Sequence, residues 1–126
     1  MSRFLHQGAE RLLRRAALIV PRRFRRLLRR RTYGPVVVLP RNDVRLPRFV
    51  AAASPVIEEK IGRPVWLAVV CPCRCGAVLR LNLMQTQVPS WTTSVDVSKR
   101  LTVSPSLDVP ACGSHFWIRH GRVHWV

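Results

Sequence analysis

The sequence predicts a mainly β fold of the α+β class, a small antiparallel sheet preceded by a basic amphipathic helical arm. Three observations carry that expectation. From Pro64 onward apolar residues come in short β-branched runs or alternate with polar ones, the period-two pattern of strands. The last twelve residues read as a hairpin, Phe116-Trp117-Ile118-Arg119 and Arg122-Val123-His124-Trp125-Val126 about a two-residue turn at His120-Gly121. Residues 1–31 stand apart, with 11 arginines against the single acid Glu10.

The charge is therefore uneven. Of the formal +16, the arm holds +10 and the other 95 residues +6, so the body is only moderately basic. A chain of 126 residues has room for one small domain, and the expected division is an arm over 1–33 and a β-rich domain over 34–126. Leu12, Leu13, Ala16, Ala17 and Ile19 approximate a helical period, which predicts a helix over about 4–20, ended or kinked by Pro21, with a second short helix over 22–30. Such an arm suits an anionic surface, membrane or nucleic acid, an organellar leader, or a partner protein; the plain alternative is an extension without fixed structure. No apolar run approaches the 18 residues of a membrane span, and Ala16 to Val20 is too short for a secretory core, which leads to the expectation of a cytoplasmic protein.

After Thr32-Tyr33-Gly34-Pro35 the composition becomes that of a folded body. Val36 to Leu39, closed by Pro40, predicts a first strand. Residues 42–50 stay undecided because Pro47 limits regular structure. One short helix is expected between Val50 and Lys60, with Ser54 as cap, Pro55 in the first turn, Glu58 and Glu59 early and Gly62 as its stop. Val65 to Val70 is a strand. Ala77 to Leu83 alternates Val78, Arg80 and Asn82 against leucines and Ala77, a half-buried strand, and residues 91–97 and 100–104 flank a turn at Ser98-Lys99.

All 4 cysteines lie in two short segments, Cys71-Pro72-Cys73-Arg74-Cys75-Gly76 and Cys112-Gly113-Ser114-His115. Zinc takes four nitrogen or sulfur ligands in a tetrahedron, commonly from two tight turns, and these segments offer five candidates: Cys71, Cys73, Cys75, Cys112 and His115. Free or reactive thiols and two disulfides are the alternatives. A Cys71–Cys73 disulfide would be strained, and nothing in the sequence indicates an oxidising compartment. A body this small often needs a staple, and a metal closing a loop of roughly 40 residues supplies one. A site made mostly of thiolates is usually closed and structural.

Further residues extend the pattern. Cys71, Pro72, Cys73, Cys75 and Gly76 precede Leu79, Leu81, Asn82 and Leu83, then Trp91, then Thr102, Val103, Pro105 and Ser106. Cys112, Ser114, His115, Phe116, Trp117, Ile118, Gly121, Val123 and Trp125 complete it. With this signature, CPCxCG followed by CxSHFWI, the chain over about residues 65–126 resembles a bacterial family of unassigned role, encoded beside ubiquitin-like, activating-enzyme-like and conjugating-enzyme-like proteins. Arg74 departs from the glycine expected there.

The resemblance implies work in a bacterial ubiquitin-like conjugation pathway, as a peptidase that matures or removes the modifier, with the modifier or a conjugating enzyme as partner. Two chemistries would serve. Zinc with an open position would need a general base from Glu58, Glu59, Asp96 or Asp108, none at a favourable spacing. Alternatively zinc is structural and His115 is the base for a serine, Ser106 or Ser114. Neighbours on a strand face opposite ways, so Ser114 is disfavoured and Ser106 preferred. Ser106 as a turn residue and His115 as a fourth metal ligand are the plainer roles. His6, His120 and His124 receive no role, and Trp91, Trp117 and Trp125 read as packing or, less simply, as stacking platforms for single-stranded nucleic acid. The competing functions are a non-catalytic zinc-binding adaptor of the same pathway and a nucleic-acid binder acting through the arm.

Overall fold

The computed structural model describes Phe24 and residues 27–126; the helix expected over 4–20 lies outside the described residues. The fold is mainly β, as expected, with the antiparallel strands arranged as two small sheets. β1 (Val37–Pro40), β2 (Val56–Lys60), β3 (Arg63–Val70) and β4 (Val78–Asn82) form the first in that order; β1 and β2 run parallel and the other pairs antiparallel. β5 (Thr92–Val95), β6 (Leu101–Val109), β7 (Ser114–Arg119) and β8 (Arg122–Trp125) form an antiparallel meander. One continuous core takes side chains from both, including Leu67, Val69, Leu79 and Leu81 from the first and Leu101, Leu107, Phe116 and Ile118 from the second.

The only α-helix among the described residues is α1 (Leu46–Ala51), six residues long, with Pro47 in its first turn and Val50 buried. Pro47, which seemed to forbid regular structure, is tolerated there because a first-turn residue has no intrahelical acceptor for its N–H. The helix expected between Val50 and Lys60 is corrected accordingly: α1 ends at Ala51, and Val56–Lys60 is a strand held between β1 and β3. The local signals of Ser54, Pro55 and the glutamate pair lose to ladders on both sides and to burial of Val56 and Ile57. The helix expected over 22–30 is also corrected at its end, since a turn at Leu27 and Leu28 gives way to chain without helix at Arg29–Arg31.

β4 is not half-buried as its alternation suggested: Val78 and Asn82 are buried along with Leu79 and Leu81, and Arg80 is partly so. Arg80 instead neutralises Glu58 of β2, with 2.6 Å between its Nη2 and the Oε2 of a carboxylate only 2% exposed, and its guanidinium lies over the Trp66 ring. Removing one partner of such a pair strands a buried charge, so Glu58→Ala is expected to cost about 3–5 kcal/mol, read as a lower urea midpoint at unchanged slope. The Glu58–Arg80 pair ties β2 to β4 across β3.

The root of the arm is docked. Tyr33 is buried and its hydroxyl donates to the Val70 carbonyl at 2.6 Å; burial, then the nearby Cys71, pushes its phenol well above the ordinary range, which keeps it a donor. Arg30 N donates to Pro72 O at 2.7 Å, Val123 N to Arg31 O at 2.9 Å, and Thr32 bridges Arg122. Residues 30–33 thus strap the β3–β4 connection to the β8 edge.

Candidate functional site

Both cysteine segments are hairpin connections. Cys71, Cys73 and Cys75 lie in the loop joining β3 to β4, which closes with Cys71 N donating to Ala77 O at 2.8 Å. Cys112 lies in the tight turn between β6 and β7, where Gly113 adopts φ +72°. The loop of one sheet therefore meets the turn of the other. The four Sγ atoms lie within 4.8 Å of one another, with Cys71 3.5 Å from Cys73 and 3.7 Å from Cys112.

These lengths test the candidates. A disulfide needs about 2.05 Å between sulfurs, and all four thiols are free. A tetrahedron with metal–sulfur bonds of about 2.3 Å has edges of about 3.8 Å, close to the spacings seen. Thiol protons are shared unevenly: hydrogen bonds from Cys71, Cys73 and Cys75 hold the Cys112 thiol far below its ordinary range, while Cys112 and Cys73, with burial, push Cys71 far above. Ser114, buried on β7, places its Oγ 3.2 Å from the Cys112 sulfur and 3.8 Å from that of Cys71, where it is an outer-shell hydroxyl for the cluster. The group can hold a metal ion, and it is composed of the four cysteines.

Arg74 occupies the loop in the conformation that its predicted glycine would favour, at φ +69°. A non-glycine residue pays about 1–2 kcal/mol there. Its Nε donates to the Leu28 carbonyl at 2.9 Å, a contact glycine cannot make, and this partly offsets the strain.

His115 follows Ser114 and faces the opposite way, to solvent. Its Nε2 lies 3.0 Å from Ser106 Oγ. β6 is irregular beside Ser106 in a way that the sequence pattern does not reveal. β6 was expected to end near residue 104 but continues to Val109, and between the pairs Val103↔Ile118 and Leu107↔Phe116 it spends four residues where β7 spends two. Pro105 has no N–H to give to a ladder, so the extra residues leave the pairing as a bulge. Past the bulge, Leu107 and Val109 face the core, and Ser106 and Asp108 share the outer face with His115 and Trp117. The indole of buried Trp91 reaches the carbonyl of Ser106 at 3.5 Å and supports the bulge from beneath.

The remaining candidates are placed elsewhere. Asp96 is spent on the β5–β6 turn, where its Oδ1 accepts from Ser98 N and Arg100 N at 2.9 Å and its Oδ2 lies 3.3 Å from His120 Nδ1. Glu58 is bound to Arg80, and Glu59 follows it on β2. Asp108 is the register partner of His115, but among the described residues no hydrogen bond joins its carboxylate to the imidazole. Trp125 packs on Phe116, with ring centroids 5.5 Å apart.

Serine hydrolases use a hydroxyl beside an imidazole as an activated nucleophile, and Ser106 and His115 form a pair of that kind on the outer face of the β meander. Comparison with known families agrees with that class. The profile of the family described as bacterial ubiquitination-like system serine protease (BubE) matches residues 43–126, and the chain belongs to this family. No curated protein and no solved structure matches it.

Proposed function

We propose that this protein is a serine peptidase of a bacterial ubiquitin-like conjugation pathway, which trims the precursor of the modifier or removes it from its targets. Ser106 is the nucleophile and His115 the general base. The observation that carries this reading is the 3.0 Å contact between Ser106 Oγ and His115 Nε2 on an exposed face, in a chain of a family described as serine proteases.

The steps follow from the two groups. Ser106 Oγ attacks the scissile carbonyl carbon as its proton passes to His115 Nε2. The carbon–nitrogen bond breaks, the amine leaves with the proton from Nε2, and the acyl group stays on Ser106. Water then attacks the ester, gives a proton to His115, and the serine oxygen departs with it. Cys71, Cys73, Cys75 and Cys112 hold Zn²⁺ in a closed site; bound there, it supplies structure and neutralises thiolate charge.

The direct test is incubation of the purified full chain with a modifier precursor and mass spectrometry of the products, together with labelling by a fluorophosphonate. Cleavage and a covalent adduct on Ser106 are expected. An uncut precursor with no adduct would return the protein to the adaptor class.

A further inference from the structure

The face that carries Ser106 and His115 ends at the edge of β8, beside a cleft that the chemistry above does not use. Directly paired residues of antiparallel strands share a face, as do alternate residues of one strand. Trp117 pairs with His124 and Arg119 with Arg122, so these four lie on the same face as His115. At the outer edge of β8 the chain from Leu27 to Thr32 forms the opposite wall of an open cleft of about 620 Å³, lined by Arg29, Arg31, Arg122, His124 and Trp125. Among the described residues its walls hold no aspartate or glutamate. The ion pairs among the described residues are Arg45 with Asp43, Arg80 with Glu58 and His120 with Asp96, so none of the cleft arginines is neutralised by one. In the sequence, residues 1–26 precede this wall and hold 8 more arginines and one glutamate.

We propose that this cleft docks an acidic stretch of the protein substrate, a reading that rests on the peptidase assignment. Strands lie about 4.8 Å apart and an extended chain advances about 3.3 Å per residue. From Ser106 across β7 to the far edge of β8 is therefore a span of about three to four residues, and the acidic stretch lies that far from the bond cut. A polypeptide fits better than a nucleic acid because single-stranded nucleic acid binds by laying bases on free aromatic faces. Here the Trp125 ring is covered by Arg29 at 4.1 Å, with Phe116 tilted against it, and Trp117 lies under Arg119 at 4.7 Å. The cleft presents guanidinium groups without a stacking platform, which suits carboxylates.

Fluorescence anisotropy on the full chain carrying Ser106→Ala tests the binding, with labelled decaglutamate, decaserine and decathymidylate as probes. Decaglutamate is expected to bind at least tenfold more tightly than either other probe, with affinity falling as salt rises. Arg29→Gln/Arg31→Gln/Arg122→Gln together should weaken it at least tenfold. Arg31→Gln alone, at an exposed position, should weaken it about twofold to threefold without the risk of disturbing the Trp125 stack. Unchanged affinity in the triple variant would place the anion on residues 1–26 and overturn the proposal, as would decathymidylate binding as tightly as decaglutamate. Cleavage separates the two claims. A small activated ester cannot reach the cleft, so its Ser106-dependent hydrolysis should survive the triple substitution, while KM for a peptide with acidic flanks rises and kcat holds. Ester hydrolysis that never depends on Ser106 defeats the peptidase reading and with it the substrate role of the cleft. Intact hydrolysis with an unchanged KM defeats the cleft alone.

Discussion

Ser106→Ala is expected to lower cleavage of a modifier precursor by about 10³-fold to 10⁶-fold while leaving the fold intact. The size follows from removing the atom that forms the covalent bond. Little stability goes with it, because the hydroxyl stands in a half-exposed bulge and its one partner, His115, is exposed, so a net loss below about 1.5 kcal/mol is expected. His115→Ala should fall in the same range of activity, and the double variant should be no worse than either single one, since nucleophile and base act as a unit. Ser114→Ala is the informative control. Its hydroxyl is buried against the Cys112 and Cys71 sulfurs, so the change should weaken metal retention and leave cleavage by the loaded protein nearly unaltered. Single-turnover rates with melting temperatures for the four proteins decide the matter. A Ser106→Ala protein that keeps more than a tenth of the wild-type rate would remove this serine from the reaction.

How far the site could be read from the sequence depended on how local each signal was. The alternation of strand side chains was enough to separate Ser114 from His115, and in the structure one is buried against sulfur while the other faces solvent. The terminal hairpin with its turn at His120-Gly121 was legible for the same reason. The cysteine pattern offered five candidate ligands for four places; the fold brings together the four thiols and turns the imidazole to Ser106. What could not be read was anything set by pairing between distant strands. Val56–Lys60 carries local helix signals yet is held between β1 and β3, and the two extra residues of the β6 bulge are defined only against β7. That bulge decides which residues of β7 stand opposite Ser106, so the residue was legible as a candidate and its geometry was not. The basic cleft was hidden for the same reason: Arg29 and Arg122 are 93 positions apart, and the Thr32 bridge to β8 and the bond from Val123 N to Arg31 O bring their segments together.

Loss of the metal is expected to unfold the protein. The loop between β3 and β4 and the turn between β6 and β7 come from different sheets, and the four thiols are where they meet. Apparent binding free energies for structural zinc of this ligand type are about 10–16 kcal/mol, against a total stability of about 5–15 kcal/mol for an ordinary domain. Stripping the ion therefore removes more than the fold holds in reserve. It also leaves buried thiols with protons to redistribute. Elemental analysis of reduced protein should return one zinc per chain. Chelation, or Cys112→Ser, should abolish the near-ultraviolet dichroism of the packed tryptophans, and adding zinc should restore it only in the chelated wild type. Because four sulfurs fill a tetrahedron and leave no position for water, the identity of the ion should matter to stability and hardly at all to chemistry. Cadmium or cobalt in place of zinc should leave the cleavage rate of the folded protein within about threefold. A tenfold change on substitution would bring the metal into the reaction, and a zinc-free chain that stays folded would show that the two sheets need no staple.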